Sequence, residues 1–210
     1  MSEAAGALRE PWHSLSRQRE AAAFGIWLFL ASELLFFGGM LLCYAVCRYS
    51  HPQGFLEAAR QTNIVFGTVN TLTLLTSSFC MAIASEAGKS GLRRLAIGGL
   101  AGTLMLGFVF LVIKGLEYRD DISQHLVPGA GFALPQLGAQ LFFSLYWMMT
   151  GVHALHLTVG MIIIARLVLV GIRRELPLTS PEIQVTALYW HLVDIIWIIL
   201  YPLLYLGGRA

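Results

Sequence analysis

Five apolar runs, each about 20 residues or longer, leave this chain few ways to fold. They fall near 24–46, 63–84, 93–116, 139–170 and 184–207. A helix rises about 1.5 Å per residue, so about 20 residues cross the roughly 30 Å hydrocarbon core of a bilayer. Lipid offers backbone groups no hydrogen-bond partners, and a helix satisfies them within itself. The expectation is an all-α polytopic membrane bundle of five transmembrane helices. The fourth run is the longest and is expected to tilt or to project from the bilayer. Composition agrees: 57% of the 210 residues are hydrophobic and 12% are charged, about half the roughly 25% of a soluble domain. With 14 Lys and Arg against 12 Asp and Glu, the net charge is +2. That balance excludes a disordered chain and gives no basic footprint for nucleic acid. Three cysteines, without CxxC or Cys/His zinc spacing, exclude a disulfide-stapled scaffold.

The runs are joined by short polar segments: Ser50 to Gly54, Glu86 to Gly91, Pro128 to Gly131 and Arg173 to Pro181. Pro and Gly mark them as loops. No internal repeat or low-complexity tract is present. Residues 1–23 mix both charge signs and are read as a cytoplasmic N-terminal segment, with one membrane domain over 24–207. The first run is longer than a signal-peptide core and lacks a small-residue cleavage site, so it is expected to remain as a span. Arg9, Arg17, Arg19, Lys89, Arg93, Arg94, Arg173 and Arg174 lie on one side of the bundle. Arg48, Arg60, Arg119 and Arg209, with Lys114 near the boundary, lie on the other. The basic excess places the first side in the cytoplasm, hence the N-terminus inside and the C-terminus outside.

Several polar groups lie within the spans. Glu33 sits about nine residues into the first, roughly 14 Å deep. A charge there costs at least about 2.5–3.5 kcal/mol, so this intramembrane acid must be protonated or paired. It reads as a neutral hydrogen-bonded acid in a helix interface, or as a proton or lipid-headgroup site. His153 and His156 are three residues apart on one face of the fourth helix. They are either two metal ligands or, more economically, interhelix hydrogen-bonding groups, because a closed metal site wants about four ligands. His191 and Asp194 repeat the spacing in the fifth helix as a histidine–carboxylate pair or a proton relay. Together with Glu33 these four fall at similar depth, and adjacent helices would make them one buried polar cluster that pins register.

The second span carries Asn63, Gly67, Asn70 and Ser77 on one stripe with Thr68, Thr71, Thr73, Thr76 and Ser78 around it, a pattern suited to helix contact. Gly98 and Gly102 form a GxxxG in the third span. Lys114 and Glu117 read as an ion pair snorkelling at that span's outer end. Arg166, Arg173 and Arg174 are candidates to hold lipid phosphates, or they follow the positive-inside rule. Cys43 and Cys47, one turn apart, read as packing thiols.

Four segments in order resemble subunit III of the haem–copper respiratory oxidases. They are Trp27 to Phe37 around Glu33, Ile113-Lys-Gly-Leu-Glu-Tyr118, Thr150 to Gly160 around His153 and His156, and Tyr189 to Trp197 around His191 and Asp194, followed by Tyr201 and Tyr205. The resemblance covers about 24–206. It implies a non-catalytic subunit of a proton-pumping terminal oxidase that packs beside catalytic subunit I, then subunit II. It implies a multi-pass protein of the bacterial inner membrane serving aerobic respiration. This chain would carry no redox centre and no metal, with haem and copper in the partner subunits. It would hold phospholipid and help keep proton uptake fast. Glu33 falls where the family has a carbodiimide-reactive acid.

The family's seven-helix form has two further helices before these five, and five-helix forms occur in bacteria. Glu33 and the Lys114–Glu117 segment resemble the cytochrome c branch more than the quinol oxidases. A quinol oxidase subunit III, an accessory subunit of a nitric oxide reductase and a stand-alone membrane metalloenzyme remain as alternatives. The metalloenzyme is short of histidines, because the loops add only His51 and His125.

Overall fold

The computed structural model describes residues 14–173 and 181–209. Helix α1 (Leu15–Ser50) is followed by the short α2 (Pro52–Gln61), then α3 (Ile64–Lys89), α4 (Arg93–Ser123), α5 (Leu137–Arg173) and α6 (Pro181–Tyr201). Five of them are long and apolar enough to cross a membrane, and no strand occurs among the described residues. The five expected spans are therefore all found, the first four as longer helices than the apolar runs alone suggest. α5, at 37 residues, is the longest; its roughly 55 Å must tilt or project. α1 already begins within the expected N-terminal segment. Residues 1–13 and the expected headgroup residue Arg174 lie outside the described residues.

Local chemistry sets the helix ends. The Ser14 hydroxyl accepts from the Arg17 backbone N–H at 3.3 Å. Asn63 Oδ1 accepts from the N–H groups of Val65 and Phe66 at 3.0 and 3.4 Å. Both are N-caps that satisfy otherwise orphaned donors. Pro202 has no N–H to continue α6, and the chain widens there into one π-helical turn, Pro202–Leu206.

The expected loop from Ser50 to Gly54 is not a loop. Pro52 occupies the first helical position, where its missing N–H costs nothing, and starts α2. α2 buries Gly54, Phe55, Ala58 and Ala59 on one side. A Cβ on Gly54 would lie 2.7 Å from Gly138 Cα, so only glycine lets α2 and the start of α5 touch backbone to backbone.

α1 buries a single seam of Ile26, Leu30, Phe37, Met40 and Tyr44. The steps alternate between three and four residues once Glu33 is included, as in a coiled coil. The rest of α1 shows large apolar side chains to the surroundings, as a lipid-facing helix does. α3 and α4 touch through Gly99, whose Cβ would lie 2.8 Å from the Cys80 carbonyl oxygen. Ser77 and Thr103 exchange hydroxyl-to-carbonyl bonds, each 3.4 Å. The expected GxxxG contact thus shifts by one residue: Gly98 meets nothing within 4 Å, while Gly99 and Gly102 face Cys80. The centre is aromatic, with Phe110, Phe142, Tyr146, Trp190, Trp197 and Tyr205 fully buried.

Candidate functional site

Glu33 lies on the α1 seam, turned toward α5. Its Oε2 is 2.9 Å from His156 Nε2, with the two side chains 16% and 20% exposed. The contact is close but off the linear hydrogen-bond direction. The other ring nitrogen, Nδ1, lies 2.8 Å from the Val152 carbonyl oxygen. A carbonyl only accepts, so Nδ1 carries a proton and donates. Nε2 faces the carboxyl, and the contact is an ion pair when the imidazole is protonated. The Phe37 ring packs edge-on at 5.3 Å from the imidazole, and the Tyr189 hydroxyl donates to the His156 carbonyl at 2.9 Å.

His153 takes a different environment. It is fully buried, and neither ring nitrogen has a hydrogen-bond partner. Its ring lies 5.0 Å from Trp197 and 5.6 Å from Phe110. Three residues along a helix is a rotation of about 60° from superposition. Here that is enough to put His156 at the α1 edge and His153 in the interior, so the two do not converge on one ligand.

His191 and Asp194 do not pair with each other. His191 Nδ1 and the Ser78 hydroxyl are 2.8 Å apart. Asp194 is buried with neither oxygen hydrogen-bonded, and Ser78 faces it from outside bonding geometry. Ser78 on α3 takes the place that the i, i+3 spacing assigned to the carboxylate. Ser78 is one rung of a longer ladder. Thr68 pairs with Tyr201 at 2.7 Å. The Trp197 indole N–H donates to Thr71 at 3.1 Å, and that of Trp190 donates to Ser77 at 3.1 Å. From Thr68 to Ser77 the partners run in opposite order along α3 and α6, so the hydroxyl stripe receives the aromatic donors in antiparallel register.

A second charged group lies nearer the end of the bundle that carries the C-terminus. Lys114 and Glu117 form the expected ion pair, at 3.0 Å, but are only 2% and 1% exposed. They do not snorkel, because α4 continues to Ser123 and turns both inward. The three ammonium protons go to Glu117, the Tyr146 hydroxyl at 2.9 Å and the Tyr205 hydroxyl at 2.8 Å. Tyr146 in turn lies 2.9 Å from both Glu117 and Asp121. The Lys114 nitrogen also stands 4.5 Å over the Tyr146 ring and 4.9 Å over that of Tyr118, within cation–π range.

Among the described residues no group of three His, Cys, Asp or Glu side chains is placed to hold a metal ion. At the opposite end, Arg166 lies 3.5 Å from Glu182. Arg173 is the last residue of α5. The Arg93 guanidinium bonds the Gly171 carbonyl and ties α4 to α5.

A family model described as cytochrome c oxidase subunit III matches residues 11–209. The chain belongs to that family. Subunit III relatives resemble it over nearly their whole length. A probable cytochrome c oxidase subunit 3 of Mycobacterium tuberculosis is 31% identical over 198 residues, covering 92% of this chain and 91% of the relative. A quinol oxidase subunit 3 of Bacillus spizizenii is 30% identical over 186 residues, covering 88% and 86%. A heme-copper oxidase subunit I+III of Aeropyrum pernix is 28% identical over 190 residues; 86% of this chain is matched, and it spans 22% of that longer protein.

Of the site residues expected in this subunit III chain, the structure brings Glu33 to His156 and Lys114 to Glu117, and separates His153, His191 and Asp194 into distinct contacts. Sequence reasoning missed Asp121 and Tyr146 as members of the lysine cluster. The spacing of Asp121, one turn beyond Glu117, was the available signal. It also missed α6 as the partner of the α3 hydroxyl stripe, although Trp190, Trp197 and Tyr201 lie on a matching stripe.

Proposed function

We propose that this chain is the non-catalytic subunit III of a proton-pumping terminal oxidase of the cytochrome c oxidase type, seated beside catalytic subunit I and subunit II in a bacterial inner membrane. The observation that carries the reading is the family match over residues 11–209. The Aeropyrum relative, named as subunits I and III in one chain, supports a place directly against subunit I. Haem and copper would reside in the partner subunits. The Glu33–His156 pair would keep a polar contact between α1 and α5. The end of the bundle carrying Arg166 and Arg173 would meet lipid headgroups. The test is purification through a tag on this chain, followed by redox difference spectroscopy and metal analysis of what accompanies it. Haem a with copper is expected. Haem b with non-haem iron would favour a nitric oxide reductase, and iron or copper on the separated chain would overturn the non-catalytic reading. The quinol oxidase relative sustains a second reading, and oxidation of cytochrome c against oxidation of quinol by the same preparation separates the two.

The orientation is tested by thiol labelling of single cysteines near Gly88 and Gly129 in a cysteine-free background. With the N-terminus inside, the Gly129 site should label from the outside and the Gly88 site should not. Outside labelling at Gly88 would reverse the assignment.

Glu33→Gln keeps the volume and a hydrogen-bonding partner for His156, so assembly and turnover should stay near wild type across pH. Glu33→Ala leaves His156 Nε2 without a partner, at about 1–3 kcal/mol per unsatisfied buried group, and should loosen the α1–α5 contact. A several-fold loss of turnover in Glu33→Gln with normal assembly would show instead that the ionisable group of Glu33 is used.

A further inference from the structure

The buried charges around Lys114 do not cancel. Lys114 brings one cation, and Glu117 and Asp121 bring two acids to the same Tyr146 hydroxyl. All three are buried. Among the described residues no second cation pairs with either acid. Arg119, on α4 between the two acids, and His125, in the turn beyond α4, are exposed. The other titratable groups facing the cluster do not supply the missing charge. Tyr118 on α4, Tyr146 on α5 and Tyr205 on the π-helical turn are phenols, and Asp120 on α4 is a further acid, itself exposed. His153 lies two turns deeper on α5, against Phe110 and Trp197. An unbalanced charge buried in a membrane bundle is costly. One added proton makes the cluster neutral.

The hydrogen bonds lead to the same count. Tyr146 Oη has three polar neighbours, each at 2.9 Å: Lys114 Nζ, Glu117 Oε1 and Asp121 Oδ2. A hydroxyl has one proton to give and two lone pairs to receive with. The ammonium takes one lone pair, because it only donates. The hydroxyl proton serves one carboxyl. The other carboxyl then faces the second lone pair, acceptor against acceptor, unless it carries a proton of its own. Glu117 is already served as a carboxylate, because Lys114 also donates to its Oε2 at 3.0 Å. The hydroxyl proton completes Glu117 at Oε1, and the extra proton falls to Asp121 Oδ2. Every site on Tyr146 Oη is then used.

We propose that Asp121, Tyr146 and Glu117 form a proton-exchange site, in which one proton enters from water at Asp121 and is shared with Glu117 through the Tyr146 hydroxyl. Asp121 is the way in, because it is 5% exposed while Glu117 is 1% and Tyr146 is fully enclosed. It also stands in the last turns of α4, where the Leu126 N–H closes on its carbonyl at 2.9 Å and the Trp147 indole holds the Leu126 carbonyl at 3.3 Å. The transfer needs no heavy atom to move. The Asp121 O–H bond breaks as its proton joins Tyr146 Oη, and the phenol O–H bond breaks as that proton joins Glu117 Oε1. Asp121 is left as the carboxylate, ready to take the next proton from water. The site lies at the end of the bundle opposite Arg166 and Arg173. It rests on the packing of α4, α5 and the π-helical turn and is independent of which oxidase the chain serves.

The test is infrared difference spectroscopy of the complex with which the chain purifies, between about pH 5 and about pH 9, with the protons released over that range counted by titration. An ordinary aspartate has already lost its proton by about pH 5, so it contributes to neither signal. Wild type should lose the C=O stretch of an un-ionised carboxyl, and that band should shift in deuterium oxide. Asp121→Asn keeps the shape and offers Tyr146 an amide donor in place of the acid O–H. It should lack the band and release one proton fewer per chain, with helix content and complex yield unchanged. Equal spectra and equal proton counts in the two proteins would overturn the inference. So would a band that does not shift in deuterium oxide, which would mark a trapped proton, or one that survives Asp121→Asn and disappears in Asp194→Asn. If Asp121→Asn does not accumulate, the wild-type spectrum decides alone, and the absence of a titrating, deuterium-sensitive band overturns the site. None of these readings uses the haem content, so failure here is distinct from failure of the oxidase assignment.

Discussion

Lys114→Met should destabilise the folded bundle by about 3–5 kcal/mol, the cost of breaking a buried pair and leaving one charge behind. The physical reason is in the count of donors. Lys114 gives all three protons to oxygen atoms, on Glu117, Tyr146 and Tyr205. Met preserves the length of the stem and removes every donor. Glu117 then stays almost fully buried beside Asp121, two acidic groups with no cation between them. The double variant Lys114→Met/Glu117→Leu should recover most of the loss, because removing both members of a buried pair is often close to neutral. The residual cost would be that of Tyr146 and Tyr205, each of which loses a donor. Detergent unfolding of the full chain, followed by helix content, measures the cycle. A double variant no more stable than Lys114→Met alone would show that the ion pair is not what holds α4 to α5 and the C-terminal turn.

The same lysine shows where sequence reading stops. Its apolar run ends near residue 116, which makes Lys114 look like a boundary residue free to reach water. The helix in fact continues through Glu117, Asp121 and Ser123, and three-dimensional neighbours on α5 and at Tyr205 make a polar interior beyond the end of the apolar run. Hydropathy locates the spans because crossing lipid is a property of composition over about 20 residues. It does not say which helix lies beside which. Glu33 was legible as an acid needing a partner, since burial of a lone charge is prohibitive, but the partner, His156, is set by how α1 packs on α5. Periodicity correctly put His191 and Asp194 on one face, and the error was to assume that a shared face means a shared bond. α2 was hidden for another reason: its Pro and Gly mark a loop in most settings, whereas here Pro52 starts a helix and Gly54 lets it lie against Gly138.

Trp197→Ala is expected to cost about 3–5 kcal/mol, comparable with the loss of Lys114 but by a different mechanism. Trp197 is fully buried, with Phe110 edge-on at 4.8 Å and His153 at 5.0 Å. Alanine leaves a cavity at the junction of α3, α4, α5 and α6 and removes the indole N–H that meets Thr71. The two losses can be separated. Trp197→Phe keeps most of the ring and gives up only the N–H. The Thr71 hydroxyl still donates to the Gly67 carbonyl at 2.8 Å, so it loses one of two bonds, at about 1 kcal/mol. Thr71→Val removes the acceptor and should match Trp197→Phe more closely than Trp197→Ala. The cavity left by alanine would also be lined by His153, whose ring nitrogens have no partners. Water entering there could bond the imidazole and offset part of the lost packing, which places Trp197→Ala toward the lower part of its range. If Trp197→Phe proved as damaging as Trp197→Ala, the hydrogen-bonded ladder between α3 and α6, and not the aromatic packing, would be the main tie between those helices.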